Sequence, residues 1–206
     1  MNKFITLTLT ALLLLAGPSF GANKVGTAVI EGKIVDLYSD FSWKFQSKEV
    51  LGNDNCIELT QIITFCGGPN WVRDDKVSAD PTIVAQFAHK DRMGHSMILE
   101  EPLGTNQGVS EEIMLEAILD NAATGAGKKV EDIPILAVED GSLKNRKIKK
   151  LVTLMDYKGL QFVMVYSVLI GDNYNVQLVT WHVGNTYDQT AKSYHASFVN
   201  SVSFSN

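Results

Sequence analysis

The 206-residue chain carries 18 basic and 23 acidic side chains, a formal net charge of −5. A mildly acidic surface excludes nucleic acid as a general partner. Beyond the N-terminus no apolar run approaches the roughly 20 residues that span a bilayer.

Lys3 precedes an almost wholly apolar run over 4–16, and Gly17-Pro18 then breaks any helix. Ser19 and Gly21 place small residues at −3 and −1 of a cleavage site, so residues 1–21 read as a cleaved signal peptide. The competing reading, a membrane anchor, has too short a run. Leu15-Ala16-Gly17 would open a lipoprotein signal, but Pro18 stands where the lipid-bearing cysteine belongs. The mature chain is therefore expected to be soluble, periplasmic or secreted. Residues 22–206 are expected to form one domain. Removing Lys3 leaves 17 cations against 23 acids, a net charge near −6.

In chain order, residues 25–37 predict one or two short strands interrupted at Gly32. Residues 41–45 alternate apolar and polar, which predicts a strand with one buried face. Residues 83–89 and 95–101 predict two more strands joined by a polar turn. Ser110 is a predicted N-cap, with Glu111 and Glu112 favoured by the helix dipole. Met114, Leu115, Ile118, Leu119 and Ala122 form a helical stripe, and Gly125 is placed to end it. Residues 148–157, 160–170 and 174–183 predict three strands joined by turns at Lys158-Gly159 and Gly171-Asp172-Asn173. Apolar residues fill both alternation classes of 160–170, so both its faces are expected to be covered. Thr186-x-x-Gln189 matches a capping box. Tyr187, Ala191, Tyr194 and Phe198 follow as one stripe, and residues 201–204 read as a closing strand. The expected fold is α+β: a mostly antiparallel sheet with helices packed on its faces.

An early strand with Trp43, Trp71-Val72 after a Gly-Pro turn, and a helix after "EEPLG" together resemble the PsbP-like family, which includes the DcrB-like proteins. So does the ending "YKGLQFVMVYSVLIGDNYNVQLVTW", a helix, then "FVNSVSF". The resemblance runs over residues 41–204. It implies an α/β/α sandwich used for binding or accessory roles, with no shared catalytic set. The missing lipidation cysteine departs from the DcrB-like lipoproteins, and the cysteine pair is no mark of the family.

No catalytic motif emerges. Residues 124–129 glance at a phosphate loop, but Ala122 replaces the required first glycine and the stretch leaves a helix instead of entering one. A Ser-His-Asp triad has no Gly-x-Ser-x-Gly elbow to support it. His89, Asp91 and His95 are candidate metal ligands around one turn, with ordinary charged surface as the plainer reading. His182 reads as a packed strand histidine and His195 as an interface or boundary residue beside the last helix's stripe. Trp43, Trp71, Trp181, Tyr166 and Tyr174 are a candidate ligand or partner surface; the plainer reading is that they fill the core. Lys144, Arg146, Lys147, Lys149 and Lys150 suggest either an anionic partner or a charged loop entering an exposed strand, whose lysines discourage edge pairing.

Cys56 and Cys66 are the only cysteines. In an oxidising compartment they are expected to form a disulfide. An unbroken strand between them would span about 33 Å, whereas a disulfide needs Cα atoms about 4.4–6.8 Å apart. The segment must therefore double back, with its bend at Thr60-Gln61-Ile62, Ile57 facing Phe65 and Leu59 facing Ile63.

These readings converge on an exported, non-enzymatic binding or accessory protein of the bacterial envelope. Its partner would be an envelope protein or small ligand, and no cofactor is expected. The alternatives are a small periplasmic hydrolase with scattered catalytic residues, and an exported partner or toxin-neutralising protein.

Overall fold

The structure is a computed structural model that describes residues 23–30, 33–45, 56–67, 70–74 and 78–205. The signal-peptide expectation for residues 1–21 lies outside them. The described residues fall into two compact units, one within residues 1–47 and one within residues 48–206.

The first unit is an antiparallel meander of β1 (Lys24–Ile30), β2 (Lys33–Tyr38) and β3 (Trp43–Phe45). Asp40 shapes the β2–β3 turn by accepting from the Ser42 amide at 2.9 Å, a common use of Asp in tight turns.

The second unit holds two sheets and two helices. Its small strands are β4 (Ile57–Glu58) and β5 (Ile63–Phe65). The large sheet is built from β6 (Trp71–Asp74), β7 (Ile83–His89), β8 (Gly94–Glu101), β9 (Ile135–Leu143), β10 (Arg146–Tyr157), β11 (Leu160–Ile170) and β12 (Asn175–Val183). Its seven strands run in the order β6-β7-β8-β12-β11-β10-β9, every neighbouring pair antiparallel. Helix α1 (Glu111–Ala126) packs over β10 and β11, and α2 (Gln189–Asn200) over β11 and β12. The last strand, β13 (Val202–Phe204), joins β5 to make a three-stranded sheet in the order β13-β5-β4.

The alternation of β11 decides which helix lies where. Tyr166 and Val168 meet Met114 and Ile118 of α1, while Val163 and Val165 meet Ala191 of α2. Both faces are covered, as the apolar run predicts. The thickest part of the core joins Ile63 and Phe65 of β5 to Phe87, Ile98, Leu178 and Phe198. The small sheet therefore closes the α2 side of the sandwich.

Four local expectations are corrected. Strand β9 has no counterpart in the sequence reading, because as an edge strand it is mostly exposed and shows no alternation to read. It also covers the lysine-rich stretch, so β10 is not an exposed edge. Lys149 lies 2.7 Å from Asp140 and Lys150 3.1 Å from Glu139 on β9. Lys147 lies 3.0 Å from Glu111 of α1. Lys144 donates to Ser203, and Arg146 to the Tyr174 hydroxyl at 2.6 Å. These cations tie β10 and the turn before it to their neighbours. Helix α1 runs past Gly125 to Gly127, which takes the left-handed conformation (φ 62) that glycine adopts without a Cβ penalty. The N-cap of α2 is Asp188, not Thr186: its carboxylate accepts from the Thr190 and Ala191 amides.

The disulfide forms as expected. Cys56 and Cys66 are bonded, with Cα atoms 4.0 Å apart, and Ile57 pairs with Phe65 across the hairpin. Thr60 organises the bend, accepting from the Ile63 amide at 3.1 Å. A loop of this size contributes about 2–3 kcal/mol. Cys56→Ser/Cys66→Ser should therefore lower the unfolding free energy by that amount in a denaturant titration; an unchanged midpoint would show that the hairpin needs no staple.

Candidate functional site

Two groups of polar residues stand out, one sealed in the core and one open to solvent. Both involve α2: the sealed group joins it to β11 and β12, the open group to β6, β7, β8 and β12.

The sealed group centres on His195, which is buried. Its Nε2 lies 2.7 Å from Ser167 Oγ of β11, and its Nδ1 lies 2.9 Å from Thr180 Oγ1 of β12. Burial, with a smaller contribution from Lys150, pushes its pKa down to about 3. The ring is thus neutral at physiological pH and bridges the helix to two strands. Ser167 and His195 have the hydrogen bond of a nucleophile–base pair, yet both are buried, so no substrate reaches the hydroxyl in this conformation. Of the two readings of His195 from sequence, interface or boundary residue, the structure has it at the interface between α2 and the sheet. It falls one residue after Tyr194 on the helix, and that places it against the sheet.

The open group begins with a row across the large sheet. Trp71 pairs with His89, and Gly94 with His182. The missing side chain at Gly94 leaves room for the Tyr194 ring; a Cβ there would lie 2.8 Å from it. Tyr194 consequently settles between His89 and His182, with ring centres 4.9 and 5.8 Å away. Its hydroxyl donates to Asp91. Burial pushes the Tyr194 hydroxyl up to about 12, reinforced by that carboxylate. Burial opposes ionisation of Asp91, but Tyr194, the Met93 amide and His89 outweigh it and hold the carboxyl far below the usual range. His89 Nδ1 sits 2.9 Å from Asp91 Oδ1. Trp71 donates its indole N–H to Ser197 at 3.1 Å. Gly94→Ala is expected to displace Tyr194, break its bond to Asp91 and cost about 1–3 kcal/mol. Thermal unfolding would measure this; wild-type stability would show that the ring adjusts freely.

Beside this cluster a cleft of about 370 Å³ opens between α2 and the end of β7, lined by His89, Gln189, Thr190, Ser193, Tyr194 and Ser197. A larger hollow of about 570 Å³ lies at the β10–β11 turn, with Asp156, Gln161 and Asn185 in its lining. Both are open to solvent, but the larger has no aromatic ring or imidazole, so the α2 cleft is the better candidate.

The structure distributes the sequence candidates unevenly. His89 and Asp91 meet on the α2 side, whereas His95 lies on the opposite face, its ring stacked against Trp181 at 5.7 Å. Among the described residues no three His, Cys, Asp or Glu side chains are placed to hold a metal. Of the five aromatic candidates, Trp71 is buried on the α2 side, while Tyr166 and Trp181 pack on the α1 side. Tyr174 is half-buried near Arg146, and Trp43 belongs to the first unit. Within the second unit no common cleft gathers Trp71, Tyr166, Trp181 and Tyr174. Thr190, Ser193 and Ser197 were not singled out from sequence, and Gln189 was read only as part of a capping box. Their signal, polar side chains three and four apart along one side of a helix, looks like any solvated helix face.

No family model and no curated relative matches the sequence. Among solved structures, the chain is similar to cyanobacterial PsbP (CyanoP) from Synechocystis. Identity is 12%, over 69% of this chain and 86% of that one, with a TM-score of 0.50. The fold is PsbP-like. A protein from Bacteroides thetaiotaomicron matches with a TM-score of 0.46 and 7% identity, over 70% of this chain and 45% of that one; the chain spans under half that protein's length. LpqN of Mycobacterium tuberculosis, described as involved in cell envelope biogenesis, is 10% identical over 70% of this chain and 83% of that one, with a TM-score of 0.37. In the PsbP-like sandwich of this chain, the α2 cleft sits where the last helix meets the β6–β7–β8 end of the sheet.

Proposed function

We propose that the chain is an exported protein of the bacterial cell envelope that binds a partner or small ligand without catalysis. The observation that carries this reading is the pairing of an open, preorganised cleft at Tyr194 with a Ser167–His195 contact closed to substrate. Export is supported by the leader pattern and by a disulfide, which persists in oxidising compartments. Among the described residues no helix is long and apolar enough to cross a membrane.

The rival hydrolase would need α2 to lift before Ser167 met a substrate. Expression with the native leader tests the first half of the reading. A shortened chain in the periplasmic or secreted fraction, without free thiols, is expected; a full-length cytoplasmic chain with two free thiols would overturn it. The second half is tested with the immobilised mature chain and an envelope extract. Recovery of neither a specific component nor a bound small molecule would overturn the binding role.

A further inference from the structure

Along α2, Gln189, Thr190, Ser193 and Ser197 share the cleft with the Tyr194 ring and His89. Beside the His89 imidazole, the lining side chains are an amide, three aliphatic hydroxyls and a phenol. Among the described residues the lining holds no ammonium, guanidinium or carboxylate and no aliphatic wall; the adjoining carboxylate, Asp91, is engaged by the Tyr194 hydroxyl and lies against His89. We propose that the cleft binds a neutral sugar ring. The proposal rests on the reading of the chain as an exported binding protein.

The hydrogen-bonding groups fit this ligand. Ser197 is committed, accepting from Trp71 and donating to the Tyr194 carbonyl. The Tyr194 hydroxyl is committed to Asp91. That leaves Gln189, Thr190 and Ser193, which are exposed and joined only by a long Gln189–Ser193 contact of 3.4 Å. Two hydroxyls and an amide within about one helical turn offer donors and acceptors together. Adjacent sugar hydroxyls, each also donor and acceptor, demand such a set. The half-buried Tyr194 ring supplies an aromatic surface for the sugar's C–H groups. It is held in advance by Gly94 beneath it, Asp91 at its hydroxyl, and His89 and Trp71 edge-on at 4.9 and 6.5 Å. Preorganisation of this kind reduces the entropy lost on binding. At about 370 Å³ the cleft lies near the small end of ligand pockets, suited to one ring and part of the next.

The test is an amide NMR titration of the mature, disulfide-bonded chain with three neutral trisaccharides: chitotriose, maltotriose and cellotriose. With few contacts, Kd should be on the order of 1 mM. At least one sugar should shift the amides of residues 189–197 and His89. Thr190→Ala/Ser193→Ala should weaken that binding by about fivefold or more, with thermal stability unchanged because both side chains are exposed. Co-sedimentation with insoluble peptidoglycan as well would identify a wall polymer, and binding of soluble sugar alone a free oligosaccharide. No shift with any of the three, shifts confined to another surface, or equal binding by the double variant would overturn the proposal. If no sugar binds while an envelope component is still captured, the ligand class falls and the binding role stands; if neither occurs, both fall.

Discussion

Phe198→Ala is expected to lower the unfolding free energy by about 3–5 kcal/mol, measured by denaturant unfolding. Phe198 is fully buried on α2. Its ring meets Trp71 at 5.2 Å and both Phe65 and Phe87 at 5.7 Å. It therefore joins the helix, the disulfide-stapled hairpin and the β6–β7 end of the large sheet at one point. Truncation leaves a cavity among three aromatic rings, each held by a different strand, so the site cannot collapse easily. The loss should exceed that from removing the disulfide, since the staple acts on one hairpin and Phe198 on three layers. A loss below about 1 kcal/mol would show that α2 is not the keystone of this core.

The second large effect is a loss of stability in acid set by His195. In the folded chain its pKa is pushed down to about 3, by burial first and Lys150 second; in the unfolded chain it titrates near 6.5. Between those values the unfolded state binds the extra proton. Stability from this group is therefore complete at neutral pH and falls as pH drops below the unfolded value. The expected loss relative to pH 7 is about 2 kcal/mol at pH 5 and roughly 3 kcal/mol at pH 4. His182 adds to it in the same direction, since burial lowers its pKa against a weaker opposing pull from Asp188. His195→Leu should be less stable at pH 7, because Ser167 and Thr180 lose a buried partner. It should also show a shallower fall between pH 7 and pH 4. Parallel pH profiles for the two proteins would contradict a buried neutral imidazole.

Much of the fold was legible because its burial is one-sided or complete. The continuous apolar run of 160–170 announced a strand covered on both faces, and Ser110 announced the start of α1. The two cysteines sufficed to place a hairpin, since their spacing and bonding distance leave an extended segment no other course. Strand β9 was illegible because it is an edge, where exposure removes the alternation that marks a strand. The full burial of His195 was illegible for a different reason: a polar residue at a core position gives no hydrophobic signal, and its partners Ser167 and Thr180 come from distant strands. The cleft was hidden because its parts are ordinary one by one. Gly94, Asp91, His89 and Tyr194 become a site only when strand register sets the glycine beneath the ring.

The measurement that bears most directly on a binding role without catalysis is a mass balance. The mature chain is incubated with envelope extract, and the bound species is eluted and weighed by mass spectrometry against the unexposed extract. A binding protein holds no more than a stoichiometric amount and returns it with its mass unchanged, and Ser167→Ala behaves as wild type after allowance for its lower stability. Conversion of an extract component beyond one equivalent, abolished by Ser167→Ala, would contradict that role and assign the buried Ser167–His195 pair to catalysis.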